Sequence, residues 1–312
     1  MSRFVTFTPN PALDLSTSVD RLVDHHKLRC DAPVVHPGGG GINVARVLHR
    51  LGAEVRAVYP SGGATGDRLH RLLAAENVPD LRLPIAAETR ESLTVHTRDT
   101  GQEYRFVLPG PRLTPDEWQT ALSHLQSLQP APAWLISSGS LPPGVSVQGH
   151  AQVVRVSQKL GARMVVDSSG QALSAALAEG VWLIKPSLRE LAGLSGLGLQ
   201  TLADQRQAAR TLIARGQAQM VALSLGAEGA MLVTADECWL AQALQVPVAS
   251  TVGAGDSFLA GLVWALDAQP DLRHALATAT AAGAAAVMGE GTTLCDAVQV
   301  QRLLGQVRIR AA

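Results

Sequence analysis

Near the end of the chain, Ser250-Thr251-Val252-Gly253-Ala254-Gly255-Asp256-Ser257 combines residue types suited to phosphoryl chemistry. Phe258, Leu259, Leu262, Val263 and Leu266 follow at helical spacing, so residues 253–256 fall in the first turn of a helix. Glycines let backbone N–H groups approach an anion, and a helix N-terminus offers unpaired donors and partial positive charge. A carboxylate in such a seat repels resting phosphate; it makes sense there if Asp256 takes the proton of a hydroxyl that attacks phosphorus. The same residues also suit a tight turn with an acidic N-cap.

Other groups have chemical uses of their own. Pro37-Gly38-Gly39-Gly40-Gly41 opens a helix whose core face is Ile42, Val44, Ala45, Val47, Leu48 and Leu51, with Gly52 as C-cap and Asn43 in the first turn beside any small polar ligand. Four glycines permit close backbone approach to a ligand, or a flexible hinge. Asp14 follows a first strand at 4–8 that stops at Pro9-Asn10-Pro11, and reads as a ligand contact or a solvated turn. Arg90 and Arg105 suit a phosphorylated substrate or a solvated surface. Glu190 suits magnesium or the dipole of its own helix. In the alanine-rich helix 272–288, Thr278, Thr280, Gly283 and Ala284 leave room for a flat ring or for close helix packing.

These residues need a frame. Strand patterns at 55–59, 134–137, 163–166, 181–184, 220–223 and 230–233 alternate with helices such as 68–75 and 115–128, which predicts a parallel sheet covered on both faces. Just beyond the strands lie Ser138-Gly139-Ser140, Asp167-Ser168-Ser169, Lys185-Pro186-Ser187 and Ser224-Leu225-Gly226, gathered at the ligand edge of an open α/β sheet. Residues 92–97 and 104–108 alternate around Asp99-Thr100-Gly101 as a hairpin. An isolated hairpin is not stable, so a small sheet is expected to project from the main body, pair with a strand at 27–35, and cover the site or a second subunit.

The chain has 312 residues, 46% hydrophobic and 17% charged, with a formal net charge of zero. That describes a well-buried α/β protein and gives no basic face for nucleic acid and no polybasic tail for a membrane. No apolar run approaches a membrane span, and a cytoplasmic location is the expectation. Cys30, Cys238 and Cys295 are too scattered for a disulfide framework or zinc. The P-loop, the dinucleotide fingerprint, Gly-x-Ser-x-Gly and His-Arg-Asp are all missing from the sequence.

Gly38-Gly39-Gly40-Gly41-Ile42-Asn43-Val44-Ala45 and the stretch 250–257 resemble the two signatures of the ribokinase family of sugar kinases, and the likeness spans essentially the whole chain. Lys27-Leu28-Arg29-Cys30, Gly62-Gly63-Ala64-Thr65-Gly66, Tyr104-Arg105-Phe106-Val107, Gly139-Ser140-Leu141-Pro142-Pro143-Gly144 and Asp167-Ser168-Ser169-Gly170 look like the branch that phosphorylates fructose 6-phosphate. The resemblance implies an α/β, ribokinase-like three-layer sandwich with a mostly parallel central sheet: one kinase domain over 1–312, with a small β-sheet lid from about 12–36 and 85–109. It implies Asp256 as the base, with Gly253, Ala254 and Gly255 as donors to the moving phosphoryl group. Sugar phosphate would meet Asp14, Gly39, Asn43, Arg90, Ser92, Arg105 and Ser140, with Lys27 reaching in from the lid, across a homodimer if the lids pair. ATP would lie near Lys185, Ser187, Ser224, Leu225, Gly226, Gly229, Thr280, Gly283 and Ala284. Magnesium would go to Glu190, and potassium to Ser250, Val252, Ala286, Gly289, Gly291 and Thr293.

Two departures mark this chain. Ser187 stands where the family carries asparagine, which leaves a non-catalytic sugar-phosphate sensor as an alternative. Thr8-Pro9-Asn10-Pro11 looks like the 1-phosphofructokinase and tagatose-6-phosphate kinase branches, yet Gly40 occupies the place of their usual lysine.

Overall fold

A computed structural model describes residues 2–312. In chain order its strands are β1 (Phe4–Phe7), β2 (Ala12–Val19), β3 (Val34–Gly38), β4 (Val55–Ser61), β5 (Asp80–Pro84), β6 (Arg90–Thr97), β7 (Glu103–Val107), β8 (Trp134–Ser138), β9 (Arg163–Asp167), β10 (Val181–Ile184), β11 (Ala218–Ser224), β12 (Gly229–Val233), β13 (Cys238–Gln242) and β14 (Ile309–Ala311). The helices are α1 (Gly40–Arg50), α2 (Gly63–Ala75), α3 (Pro115–Gln126), α4 (Gly149–Leu160), α5 (Gly170–Ala178), α6 (Leu188–Ser195), α7 (Leu202–Ala214), α8 (Ala254–Ala268), α9 (Leu272–Val287) and α10 (Ala297–Leu304).

Two sheets result. The large one runs β14-β13-β12-β11-β10-β9-β8-β1-β4-β5, and the small one β3-β2-β6-β7. Strand alternation splits the core of the large sheet into two layers. Phe4, Trp134, Ile136 and Val165 pack with Ile42, Leu48, Leu259 and Ala279 from α1, α8 and α9. Val5, Leu135, Met164 and Val166 point the other way, against Trp118, Val153, Leu173 and Leu212 from α3, α4, α5 and α7. Helix, sheet and helix thus make the three layers, with strands buried on both faces as a parallel sheet requires.

The central sheet is mostly parallel, as the resemblance implies, and one other expectation needs correction. From β11 to β5 the large sheet is parallel, but β12, β13 and β14 are antiparallel. The link between β11 and β12 covers only residues 225–228, too short for a crossover, which needs a dozen residues or more. The lid strand expected at 27–35 begins only at Val34 and runs to Gly38. Its place in the sheet is taken by β2, paired antiparallel with β3 and parallel with β6. Asp14 therefore sits in register between His36 and Ser92 on a strand, not in a turn.

Small residues bring α8 and α9 together. A Cβ at Gly261 would lie 2.9 Å from the Cβ of Ala282 and 3.1 Å from the carbonyl of Thr278. The other end of the α8 layer is tied to the sheet through Trp134, which stacks with Phe4 at 6.0 Å, meets Trp182 edge-on at 4.8 Å, and donates from Nε1 to Asp267 at 2.8 Å. Trp134→Ala is expected to cost about 3–5 kcal/mol, as a large buried aromatic does. Urea denaturation checks this: the midpoint should fall at unchanged m-value, and Trp134→Phe should lose less.

Candidate active site

α8 begins without a side-chain cap. Its N-cap, Gly253, has φ 76, a left-handed conformation that favours glycine. A Cβ there would also strike Leu294 at 2.3 Å. The opening amides therefore have no side-chain cap, and that of Ala254 makes only a long bond to the Thr251 carbonyl at 3.5 Å. Asp256 stands among them. Its Oδ2 accepts a hydrogen bond from Asn43 Nδ2 at 2.8 Å. Burial, then the charge of Asp167, push its pKa up to about 6, against the lowering effects of the Asn43 bond and of Lys185.

A cavity of about 310 Å³ lies on one side of this turn, and Gly253 and Asp256 form part of its wall. Asp14, Gly39, Asn43, Arg90, Ser92, Arg105 and Ser140 all line it, so every sugar-site residue expected from the sequence converges here except Lys27. Lys27 lies in the exposed segment between β2 and β3, away from the cavity of its own chain. Burial raises the pKa of Asp14, partly offset by the Thr292 hydroxyl and by Arg105 and Arg90. Arg90 spends its guanidinium on the carbonyls of Leu108 at 2.7 Å and Asn10 at 2.8 Å, which fixes the lid to the strand end.

A second cavity, of about 490 Å³, lies on the other side of the turn and includes Ala254 and Gly255. Ser224, Gly226, Gly229, Thr280, Gly283 and Ala284 line it, facing the apolar Leu244, Val246 and Phe258. The small residues of α9 thus serve both purposes: Thr278 and Ala282 admit α8, while Thr280, Gly283 and Ala284 shape a slot. Leu225 is buried in the core beside this slot, and its amide bonds to the Gly229 carbonyl at 2.9 Å.

Between the cavities lies Lys185. Its ammonium would be 3.2 Å from a Cβ at Gly255, and it pairs with Asp167 at 3.3 Å. Burial alone would lower the Lys185 pKa, but Asp167, Asp256 and Glu190 outweigh that and raise it. Ser187 lines neither cavity. It caps α6 in a reciprocal box, its Oγ donating to Glu190 Oε2 at 2.9 Å. Glu190 also lines the first cavity. Among the described residues there is no cluster of three or more His, Cys, Asp or Glu that would cage a metal.

Of the remaining residues expected near cations, Val252 lines the first cavity. Ala249 and Ser250 donate their amides to the Val287 carbonyl at 2.8 and 3.3 Å, which brings Ser250 beside the end of α9, where Ala286 and Gly289 lie. Gly291 and Thr293 follow in the loop before α10. Sequence reasoning missed Glu103, which accepts the Ser250 hydroxyl at 2.8 Å; Asp167, expected only among the polar residues at the ligand edge, lines the first cavity. Only the strand-end position of Asp167 signalled it; nothing local signalled Glu103.

The glycines at 38–41 are packed closely against their neighbours. Cβ atoms at Gly38, Gly40 and Gly41 would meet Asp14 at 2.2 Å, Ser138 at 2.2 Å and Thr8 at 2.5 Å.

Comparisons agree with this geometry. The model of the pfkB family carbohydrate kinases matches residues 10–298. The ATP-dependent 6-phosphofructokinase isozyme 2 of Escherichia coli is 42% identical over 304 residues, covering 97% of this chain and 98% of that protein. The 1-phosphofructokinase of Vibrio cholerae is 34% identical over 309 residues, covering 99% and 97%. Crystal structures of Escherichia coli phosphofructokinase-2 superpose with TM-scores of 0.93 in complex with potassium and 0.92 in complex with fructose-6-phosphate; they are 41% and 40% identical, and each comparison covers 98% of this chain and 99% of the other.

The close fit at Gly40 has a measurable consequence. Gly40→Ala should cost about 1–3 kcal/mol in chemical denaturation, the usual price of overpacking. Adding Ser138→Ala, which removes the nearest atom, should recover part of it.

Proposed function

Because the chain belongs to the pfkB family of carbohydrate kinases, we propose that it transfers the γ-phosphoryl group of ATP to fructose 6-phosphate, giving fructose 1,6-bisphosphate. One observation carries this reading: the Asp256 carboxylate sits in the helix turn that forms the wall between two cavities.

The sugar phosphate occupies the first cavity. Its phosphate meets Arg105, which makes no ion pair among the described residues, and Ser92; Asp14 and Asn43 hold hydroxyls. The nucleotide occupies the second cavity, its flat base against Thr280, Gly283 and Ala284. The primary hydroxyl then gives its proton to Asp256, its oxygen bonds to the γ-phosphorus, and the bond to the ADP oxygen breaks. Amides of residues 253–255, with Lys185 beside Gly255, steady the charge in flight.

Magnesium suits these residues. Asp167 raises the proton affinity of Asp256, and Glu190 that of Asp167, a surplus of negative charge that a divalent ion relieves. Glu190 would hold it, and the ion would neutralise phosphate charge. Potassium would go to the carbonyls and hydroxyls of Ser250, Val252, Ala286, Gly289, Gly291 and Thr293, a proposal supported by the potassium complex of the Escherichia coli protein. A homodimer through the lid is the assembly we favour. β7 is an unpaired edge, and Phe106, Val107 and Leu108 at its end are 52–58% exposed, which suits an edge that another copy covers. Pairing there would bring Lys27 toward the partner's site.

Fructose 1-phosphate or tagatose 6-phosphate remains a second reading, favoured by Thr8-Pro9-Asn10-Pro11 and the 34% identity to a 1-phosphofructokinase. Gly40 weighs against it, since any side chain there meets Ser138. Comparison of kcat/KM across the three sugars decides, with fructose 6-phosphate expected to lead; binding without ADP release would instead mark a sensor.

Asp256→Asn should lower kcat by about 100- to 10,000-fold while ATP binding, followed by calorimetry, persists. The base works only when deprotonated. Activity should therefore fall as pH drops through about 6, the Asp256 value, with a one-proton acid limb in kcat/KM.

A further inference from the structure

One turn after Asn43, α1 carries Arg46, whose side chain is fully buried yet lines neither cavity. Its Nε donates to both carboxylate oxygens of Glu76 at 3.0 Å, and Nη2 lies 2.7 Å from Glu76 Oε1. Nη1 donates to the carbonyls of Pro37 and Thr292, each at 3.1 Å, and reaches the side-chain oxygen of Asn43 at 3.4 Å. A guanidinium has donors only, so an amide that faces it must present oxygen. The amide nitrogen of Asn43 then points the opposite way, to Asp256 Oδ2 at 2.8 Å. Turned over, Asn43 would set NH₂ against guanidinium and oxygen against carboxylate, two repulsions in place of two bonds.

We propose that Arg46, itself held by Glu76, is a positioning residue that locks the Asn43 amide as a donor to Asp256, and so sets the orientation and proton affinity of the base. The proposal rests on the reading of Asp256 as base. The chain of contacts runs from Glu76, just past the end of α2, through α1 to the first turn of α8; Glu76 and Arg46 line neither cavity, and Asn43 and Asp256 line the first.

Other groups act on Asp256 and must be separated from this relay. Asp167 at the end of β9 and Asp14 on β2 raise its proton affinity, and Lys185 after β10 lowers it. Arg46 also acts on Asp14 through its charge. A purely structural Arg46 would tie α1 to β3 and to the loop at 292, and its loss would lower stability without moving a pH limb.

The test compares Arg46→Lys and Glu76→Gln, each in the natural chain and in an Asn43→Ala background, by pH profiles of kcat/KM for fructose 6-phosphate together with thermal melts. Lysine keeps the charge but lacks the planar fork. The acid limb should move up by about half a unit to one unit in Arg46→Lys, the size of one lost hydrogen bond, and by less in Glu76→Gln. In the Asn43→Ala background neither change should move it further. A shift that persists without Asn43, or activity lost with the limb unmoved, overturns the proposal. If Arg46→Lys does not fold, Glu76→Gln, at a half-buried side chain, decides on the same outcomes. If Asp256→Asn turns over normally, it is the base reading that fails, a result distinct from failure of the relay.

Discussion

A negative charge kept out of water at the start of a helix is the constraint on which this structure depends. Burial and a neighbouring carboxylate push Asp256 toward the neutral acid, and the Asn43 donor and Lys185 pull it back. The result is a group poised to exchange a proton near neutral pH, which free aspartate at its ordinary value is not. Each nearby element adjusts that balance: β9 brings Asp167, β10 leads to Lys185, α1 brings Asn43, and the lid strand β2 brings Asp14.

The same turn separates two spaces of different character. The first is lined by charge and hydroxyls from both sheets, and the second by small and apolar residues of α8, α9 and the loop after β13. A group passing from one to the other must cross the opening amides of α8. Glycine makes the crossing narrow. Side chains at 38, 40 and 41 would fill the space taken by Asp14, Ser138 and Thr8, so the glycine run holds backbone against the site rather than loosening it.

Much of this was legible in the sequence because it rests on local rules. Glycine strings before helical periodicity, polar residues just past apolar runs, and the hairpin at 92–108 each declare themselves within a few residues. What was missed depends on partners distant in sequence. β2 alternates Leu13 and Leu15 with polar residues, but it becomes a strand only because β3 and β6 flank it. The antiparallel edge followed from the brevity of one link. The burial of Arg46 depends on Glu76, 30 residues later, and on the Thr292 carbonyl, 246 residues later. Glu103 sits opposite a serine 147 residues away, a pairing that no local pattern encodes.

The hydrogen bond between Asn43 and Asp256 spans 213 residues. Its two ends belong to the first and the eighth helix, and the layer that holds them also includes the ninth. Contacts this remote close late, after most of the chain-ordering entropy has been spent. During synthesis, a ribosome that has released the N-terminal half has released a sheet and its glycine loop but no chemistry. Recovery of activity on refolding will therefore lag recovery of secondary structure, and it times the docking of the two ends of the chain rather than the birth of its strands.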